Sequence, residues 1–394
     1  MQLSDIQTPA ALVDTAVMNG NIQRMQTAVS ALSANLRPHV KTAKSIPVAN
    51  AMNDAGAVGI AVSTLKEAEE FFNAGVSSDI MYCVCVVQSK LKWVYDLIQK
   101  GCDLKIVCDS VVTAQHITAF GLEHNHTFKT LIEIDTDGHR SGCPADTALL
   151  LEIAAALGDV HGVMAHAGES YELSSPSALQ AMAEQERSLT VLAAERLRTA
   201  GYACPVVSIG STPTALSYTS LDKVTEVRAG VYIFFDLVMF NIGVCSMEEI
   251  ALSVLTTVIG HQPEKGWVIT DAGWMAMSRD RGVPGQRDFG YGQVCSVGGT
   301  PLPGVTMVSA NQEHGIITCS DLNKLKENLR GKQIKDETIF KSCESMSIID
   351  LFPVGTQLRV LPNHSCATAA QFPNYHMLDA SGKVTEKWDR FYGW

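Results

Sequence analysis

The sequence lacks the features that mark membrane, secreted and nucleic-acid-binding proteins. No apolar run reaches the roughly 20 residues of a transmembrane helix, and residues 1–5 show neither the charged nor the apolar part of a signal peptide. Acidic residues outnumber basic ones by 41 to 30, and the net charge of −11 argues against a general nucleic-acid binder, although a local basic pocket for one phosphate stays compatible with it. We therefore expect a cytoplasmic protein without membrane or nucleic-acid partners.

The cysteines do not form a disulfide framework. There are eleven of them, an odd number, and they are scattered along the chain, which is typical of reduced thiols. Cys83 and Cys85 have C-x-C spacing, but their neighbours Val84, Val86 and Val87 are apolar. We therefore interpret both as core residues rather than metal ligands.

The order of apolar and amphipathic stretches predicts a barrel. With 394 residues, 46% of them apolar, the chain can form one large domain and a smaller one. Eight strand-like runs alternate with helical stretches, as in a (β/α)8 barrel. The predicted strands are 36–41, 58–62, 79–83, 104–108, 130–134, 160–164, 205–209 and 225–228. The predicted helices are 15–34, 65–74, 89–100, 109–121, 145–157 and 176–200.

A doubly wound open sheet is the competing architecture, but it normally carries a glycine-rich turn after its first strand, and this chain has none. The pattern changes near Cys245, where strand-like runs follow one another with Gly and Pro between them. Helical periodicity is absent there apart from 321–330. We therefore predict an α/β barrel domain over residues 1–244, whose first few residues could join a mainly β domain over 245–394.

Lys41 ends the first predicted strand, and barrel enzymes place their active residues at such strand ends. A lysine held at an apolar site can lose its proton and attack carbonyl carbons. Considered alone, a lysine that merely extends into solvent is the commoner case. The assignment therefore depends on the other loops at the same end of the barrel.

The loops after strands 7 and 8 predict a phosphate site. Gly210 would allow close backbone approach, and Ser211 and Thr212 add hydroxyl donors. Gly230 and Tyr232 follow the next strand, and these two loops often bind phosphate in barrels. A nucleophilic lysine and a phosphate site at one barrel mouth together predict pyridoxal 5′-phosphate, bound to Lys41 as a Schiff base.

Two further loop residues are candidates for contacts with this cofactor. Arg140, in Asp137–Gly142, could bond the phenolate oxygen, and Tyr171 could meet the pyridine ring or its nitrogen. The alternatives are a surface arginine in a turn and simple aromatic packing.

The C-terminal part contains a candidate metal site. On an extended segment residues i and i+2 face the same side, so His364 and Cys366 would project together. Imidazole and thiolate suit Zn²⁺, and two protein ligands leave positions for water or substrate. His314, in Glu313-His314-Gly315, could be a general base, a neighbour of the ligands, or only a loop residue.

These motifs together resemble the fold-type III pyridoxal-phosphate enzymes of the D-serine dehydratase and D-threonine aldolase group. The resemblance spans essentially the whole chain and rests on six segments in the same order, which are Pro38-His39-Val40-Lys41-Thr42, Asp137–Gly142, Gly210-Ser211-Thr212, Asp271-Ala272-Gly273, Glu313-His314-Gly315 and Pro362–Cys366. It implies an alanine racemase-like barrel with a β domain, a homodimer, and a divalent metal beside the cofactor. By the same resemblance Lys41 is the Schiff-base lysine, and His364 and Cys366 hold the metal, for which zinc is favoured over magnesium or manganese.

The second metal ligand separates two branches of this group. The dehydratase branch carries H-x-C, whereas the aldolase branch tends to carry a carboxylate at the second position, so Cys366 favours a dehydratase. The predicted reaction is β-elimination from a D-β-hydroxy amino acid (D-serine, D-threonine or D-3-hydroxyaspartate) to a 2-oxo acid and ammonia. The alternatives are an aldolase that gives glycine and an aldehyde, with His314 as base, a racemase of the same fold, and a non-catalytic pyridoxal-phosphate carrier.

Overall fold

The computed structural model describes residues 1–283, 285–331 and 346–394. The chain forms two compact units. The barrel unit comprises Asn21–Tyr232 with Phe391–Trp394, and the β unit comprises Met1–Gly20 with Ile233–Arg390. Among these described residues, no helix combines the length and apolar character that a membrane crossing requires.

The chain begins with strand β1 (Ala10–Asp14) and helix α1 (Thr15–Ala31), and then forms the barrel. Its eight parallel strands are β2 (Asn35–Pro38), β3 (Ile60–Val62), β4 (Asp79–Cys85), β5 (Asp103–Cys108), β6 (Thr130–Asp135), β8 (Gly162–Ala165), β9 (Val206–Ile209) and β10 (Glu226–Ala229), with the two-residue β7 (Cys143–Pro144) beside β6. The intervening helices are α2 (Ile46–Asp54), α3 (Leu65–Asn73), α4 (Leu91–Gln99), α5 (Val111–Glu123), α6 (Ala148–Leu157), α7 (Pro176–Thr199) and α8 (Thr212–Ala215).

The sheet runs in the order β2-β10-β9-β8-β6-β5-β4-β3. It closes between β2 and β3, where a bridge joins His39 to Ala61 and the Val40 N–H donates to the Ala61 carbonyl at 3.0 Å. The predicted (β/α)8 barrel is therefore confirmed.

Alternating residues of the strands fill the barrel interior, because side chains on a strand point in turn to its two faces. A cluster from β3, β4, β5, β6 and β8 forms this core, and its members are Ala61, Met81, Cys83, Val107, Leu131 and Met164. Cys83 is thus a core residue, as predicted. Two residues after Ala61, Val107 and Leu131, towards the carboxyl ends of the strands, the chain carries polar residues, which are Ser63, Asp109 and Glu133.

The β unit is built on one nine-stranded sheet. Its later strands are β11 (Leu252–Gln262), β12 (Trp267–Thr270), β13 (Gln293–Cys295), β14 (Pro301–Ala310), β15 (Gly315–Cys319), β16 (Gln357–Leu361), β17 (Asn374–Leu378) and β18 (Val384–Asp389). The helices of this part include α9 (Leu237–Ile242), α10 (Trp274–Met277), α11 (Leu322–Gly331) and the short segments Ile348–Leu351 and Ser365–Ala369. β1 completes the sheet, pairing antiparallel with β11 and parallel with β17.

Candidate active site

Lys41 lies just beyond β2, at the carboxyl ends of the barrel strands, and its side chain is exposed. Its backbone N–H lies 3.4 Å from Nδ1 of His39, and the other ring nitrogen of His39 lies 3.3 Å from the Ser63 hydroxyl. Within the described part of the chain, Lys41 forms no ion pair with a carboxylate. The amine is therefore accessible and is not neutralised by an acidic neighbour.

Positive charge converges around this lysine. Burial lowers the pKa of His39, and the charges of Lys41 and Arg228 lower it further. Burial also lowers the pKa of His166, to about 3, with Lys41 and Arg140 adding to the effect. Both histidines are therefore neutral at pH 7. The basic side chains of Lys41, Arg140 and Arg228 lie close enough to act on them, which suits a ligand with several negative charges.

The loops after β9 and β10 provide polar groups that fit a phosphate. Thr212 and Tyr232 are almost completely buried, and the hydroxyl of each has no hydrogen-bond partner among the described residues. An unpaired buried hydroxyl costs stability unless a ligand satisfies it. A Cβ on Gly230 would lie 3.0 Å from the His39 carbonyl, so glycine lets the loop after β10 pack against the Lys41 segment without pushing this carbonyl away. These observations fit the predicted pyridoxal phosphate.

Gly210 has a structural role in addition to the predicted contact with phosphate, which remains a prediction. Its N–H donates to the Glu186 carboxylate at 2.9 Å, and a Cβ there would lie 2.3 Å from the Arg228 carbonyl. The glycine thus allows β9 to approach β10 closely. Gly210 also accepts at its carbonyl from Nδ1 of His166, at 3.0 Å.

Arg140 and Tyr171 both reach the strand-end face of the barrel. Arg140 is half exposed, and its guanidinium lies 3.5 Å from the Glu133 carboxylate. The Tyr171 ring centroid lies 6.3 Å from that of His166. Their proposed contacts with the phenolate and the pyridine remain predictions.

Glu133 is a site residue that the sequence interpretation missed. It is buried at the end of β6, and it accepts hydrogen bonds from Ser141 at 3.2 Å and from the Cys85 thiol at 3.3 Å. Cys85, Asp109 and Glu133 bring their ligand atoms within 4.8 Å of one another. Burial and the two carboxylates raise the pKa of Cys85, so its sulfur is a hydrogen donor rather than a thiolate ligand. Cys85 is half-buried and packs against the barrel core, as its interpretation as a packing residue expected, and its thiol also contacts Glu133.

The candidate metal ligands His364 and Cys366 lie in the β unit. The expectation of an extended segment is wrong, because His364 is the N-cap of the helix Ser365–Ala369 and Cys366 lies inside that helix. A hydrogen bond nevertheless joins the imidazole and the thiol, so the two donors meet. Imidazole and sulfur are donors that Zn²⁺ prefers, and the pair fits a divalent metal.

Two carboxylates fix the histidine of this pair. Nδ1 of His364 lies 2.6 Å from Oδ2 of Asp280, and the buried Asp236 accepts from the Ser365 N–H at 2.9 Å. Burial opposes the charged imidazolium, but the hydrogen bonds to Asp280 and Cys366 and the charge of Asp236 raise the pKa of His364 to about 11. With Nδ1 bound to Asp280, Nε2 is left for a metal.

His314 and Asp271 lie elsewhere in the β unit. His314 is exposed in the turn between β14 and β15, where its carbonyl accepts from the Asn311 N–H at 2.8 Å. A catalytic role for His314 remains a prediction. Asp271 follows β12 and accepts hydrogen bonds from the hydroxyls of Thr8 and Thr256 at 2.5 and 2.8 Å, which is a structural role.

Comparison with known families matches both parts of the chain. The model "Alanine racemase, N-terminal domain" matches residues 13–238, and "Putative serine dehydratase domain" matches residues 251–378. D-threo-3-hydroxyaspartate dehydratase of Delftia sp. (strain HT23) is 55% identical over 398 residues, which cover 100% of this chain and 99% of the relative. D-serine dehydratase of Dictyostelium discoideum is 27% identical over 405 residues, which cover 97% and 96% of the two chains.

Solved structures of the same group of enzymes superpose on nearly the whole chain. The Delftia dehydratase superposes with a TM-score of 0.92 at 55% identity and covers 100% of both chains. D-threonine aldolase from Filomicrobium marinum superposes with a TM-score of 0.79, covering 98% of this chain and 96% of its own, at 21% identity. At that identity the aldolase supports the common fold alone.

Proposed function

Because this chain belongs to the alanine racemase-like family with a C-terminal serine dehydratase domain, we propose that it removes water from a D-β-hydroxy amino acid and yields a 2-oxo acid and ammonia. The observation that carries the proposal is the pair of donors His364 and Cys366, held by Asp280. The dehydratase from Delftia, similar at 55% identity over its full length, favours D-threo-3-hydroxyaspartate as the substrate, whereas the D-serine dehydratase is similar at 27%.

The solved structures of that dehydratase support the assignment of the metal ligands. They include a histidine-to-alanine mutant and a cysteine-to-alanine mutant, the latter in the metal-free form. The two altered residues are two positions apart in that protein, as His364 and Cys366 are in this chain. Zinc as the metal in this chain, a homodimer and a cytoplasmic location stay predictions.

Different residues of the chain would have different roles in the elimination. When bound, pyridoxal phosphate supplies an electron sink for the electrons at Cα, and the metal supplies a Lewis acid for the leaving hydroxyl. Thr212 and Tyr232 would bind the phosphate, and Arg140 and Arg228 would balance the negative charge of the bound cofactor. Nζ of Lys41 would form the cofactor linkage and, once released, accept the proton from Cα.

The reaction balances without an oxidant. The Cα–H and Cβ–O bonds break, the Cα proton passes to Lys41, and the hydroxyl departs as hydroxide, which becomes water by taking up one proton, the equivalent of the one that Lys41 gives back. The enamine product then takes up water and releases ammonia, which leaves the 2-oxo acid.

A substrate panel with and without a chelator tests the proposal. The holoenzyme is offered D-serine, D-threonine and both D-3-hydroxyaspartate diastereomers, and 2-oxo acid plus ammonia is scored against glycine plus aldehyde. We expect elimination, fastest with the threo diastereomer, to stop with EDTA and return with added metal. Glycine and aldehyde as the main products would favour the aldolase, and full turnover in EDTA would overturn the metal's role.

A variant of Cys366 tests the donor pair directly. Cys366→Ala should lose bound metal and elimination together, because a single histidine remains to hold the ion. Cys319→Ala, also a half-buried cysteine of the β unit, is the matched control and should keep both. Full elimination by a metal-free Cys366→Ala enzyme would contradict the assignment.

A further inference from the structure

Glu186 is a buried carboxylate that the proposed reaction does not use. It lies in α7, the helix between β8 and β9, and its side chain is 0% exposed. Among the described residues, its side chain is bonded to two backbone N–H groups and to the hydroxyls of Tyr218 and Thr214. A buried carboxylate that is bonded only to neutral donors is costly, so its contacts must matter for the structure around it.

The contacts of Glu186 join the two loops that flank the proposed phosphate site. Oε1 accepts from the Ala167 N–H at 3.0 Å and from the Gly210 N–H at 2.9 Å. Ala167 follows His166, and Gly210 precedes Ser211 and Thr212. A single carboxylate oxygen therefore fixes the starts of the loops after β8 and β9.

The second oxygen of Glu186 reaches the same loop from the other side. Oε2 accepts from the Tyr218 hydroxyl at 2.5 Å, and that hydroxyl lies 3.3 Å from Oγ1 of Thr214. Oγ1 of Thr214 in turn accepts from the Ser211 N–H at 3.0 Å. This chain of bonds leads to Thr212, whose buried hydroxyl has no partner among the described residues.

We propose that Glu186 is a positioning residue for the cofactor's phosphate, acting through the backbone at Gly210 and through Tyr218 and Thr214 on the Ser211-Thr212 segment. The inference rests on the proposed function, because it assumes that pyridoxal phosphate binds at this end of the barrel. It goes beyond that function in assigning the geometry of the phosphate site to a residue of α7 that lies outside both loops.

Comparing pyridoxal phosphate with pyridoxal tests this role, because the two ligands differ only in the phosphate. The full-length protein is stripped of cofactor with hydroxylamine and titrated with each ligand, following absorbance. In Glu186→Gln, we expect the affinity for pyridoxal phosphate to fall at least about tenfold and that for pyridoxal to change less than about threefold, as for a lost charge-assisted contact. Tyr218→Phe should lose less affinity for pyridoxal phosphate than Glu186→Gln does, but still more than it loses for pyridoxal.

Thr190→Val is the matched control, since Thr190 is buried on the same helix and, among the described residues, its hydroxyl bonds only the Glu186 carbonyl. It should leave both affinities unchanged. For Glu186→Gln, the loss of affinity for pyridoxal phosphate is divided by the loss of affinity for pyridoxal. A ratio below about threefold would overturn the inference. If Glu186→Gln does not fold, the same ratio is measured in Tyr218→Phe, and the same threshold applies to it. A wild-type protein that binds no pyridoxal phosphate would instead overturn the proposed function itself.

Discussion

Nδ1 of His364 lies 2.6 Å from Oδ2 of Asp280. A hydrogen bond of this kind fixes the ring orientation of a metal-binding histidine and increases its basicity. It also determines which nitrogen faces the ion, because the nitrogen bonded to the carboxylate is no longer available as a ligand.

We therefore expect Asp280→Asn to weaken metal binding by about 10- to 100-fold, the usual effect of losing such a partner. Equilibrium dialysis of the purified protein with Zn²⁺, Mg²⁺ and Mn²⁺ measures the affinities. Asp288→Asn is the matched control, because Asp288 is an exposed aspartate of the same loop that pairs with Arg281 at 2.7 Å. Equal metal affinity in Asp280→Asn and wild type would show that the bond does not support the site.

Lys41→Ala should abolish the covalent cofactor linkage. The purified variant should lack the visible absorption of bound cofactor, and borohydride reduction followed by mass spectrometry should label Lys41 only in the wild type. Lys44 provides an internal control, since its Nζ is paired with Glu67 at 3.0 Å and should stay unlabelled. A label on Lys44, or an unchanged spectrum in Lys41→Ala, would contradict the assignment.

The fold was largely predictable because the barrel strands are short apolar runs separated by amphipathic helices, and all eight were found. The β unit was harder. The predicted strand-like runs there were 250–259, 265–270, 304–308, 356–361 and 382–389, and β15 and β17 lie outside them. In β17, Asn374 and His376 interrupt the apolar pattern. β1 pairs with β11 and β17, which are distant in sequence, so local patterns could place the strand but not its partners.

The candidate site was predictable where its residues stand in short motifs and not where single residues lie within a barrel strand or a long helix. Lys41, His364 and Cys366 stand in recognisable motifs. Glu133 and Glu186 do not, because one lies within β6 and the other within α7, where a glutamate is usually solvated. For Glu133 the sequence does contain a signal. It lies two residues after the interior residue Leu131 on the same strand, so both side chains point into the barrel. The helical conformation of Cys366 could not be read from the H-x-C spacing.

Tyr232→Phe should weaken cofactor binding without harming the fold. The Tyr232 hydroxyl is fully buried and has no partner among the described residues, so its removal should leave the stability of the cofactor-free protein unchanged or raise it by about 1 kcal/mol. The affinity for pyridoxal phosphate should fall about fivefold, as for the loss of one hydrogen bond. Urea unfolding and cofactor titration measure the two quantities, and a clearly destabilised variant with normal affinity would contradict the role.

The neutral state of His166 predicts a pH dependence of stability. Its pKa is lowered to about 3 in the folded protein, whereas it is about 6.5 in an unfolded chain. Between these values the unfolded state binds the extra proton, so this residue favours the folded state above about pH 6.5 and that contribution is lost as the pH falls, by up to about 1.4 kcal/mol per pH unit.

His166→Asn removes the titrating ring and keeps a donor for the Gly210 carbonyl. Urea unfolding of the cofactor-free protein at pH 7, 6 and 5 should therefore show a shallower fall of the unfolding free energy in the variant. Parallel curves for variant and wild type would show that His166 takes up its proton equally in the folded and the unfolded state, which would contradict the lowered pKa.

The most direct test of the account asks whether the Cα–Cβ bond of the substrate survives. D-threo-3-hydroxyaspartate labelled with ¹³C at Cα and Cβ is incubated with the holoenzyme, and the products are followed by NMR. The account predicts a 2-oxo acid that retains the ¹³C–¹³C coupling, with one ammonia released per molecule consumed. Singly labelled glycine with a singly labelled aldehyde, and no ammonia, would contradict it.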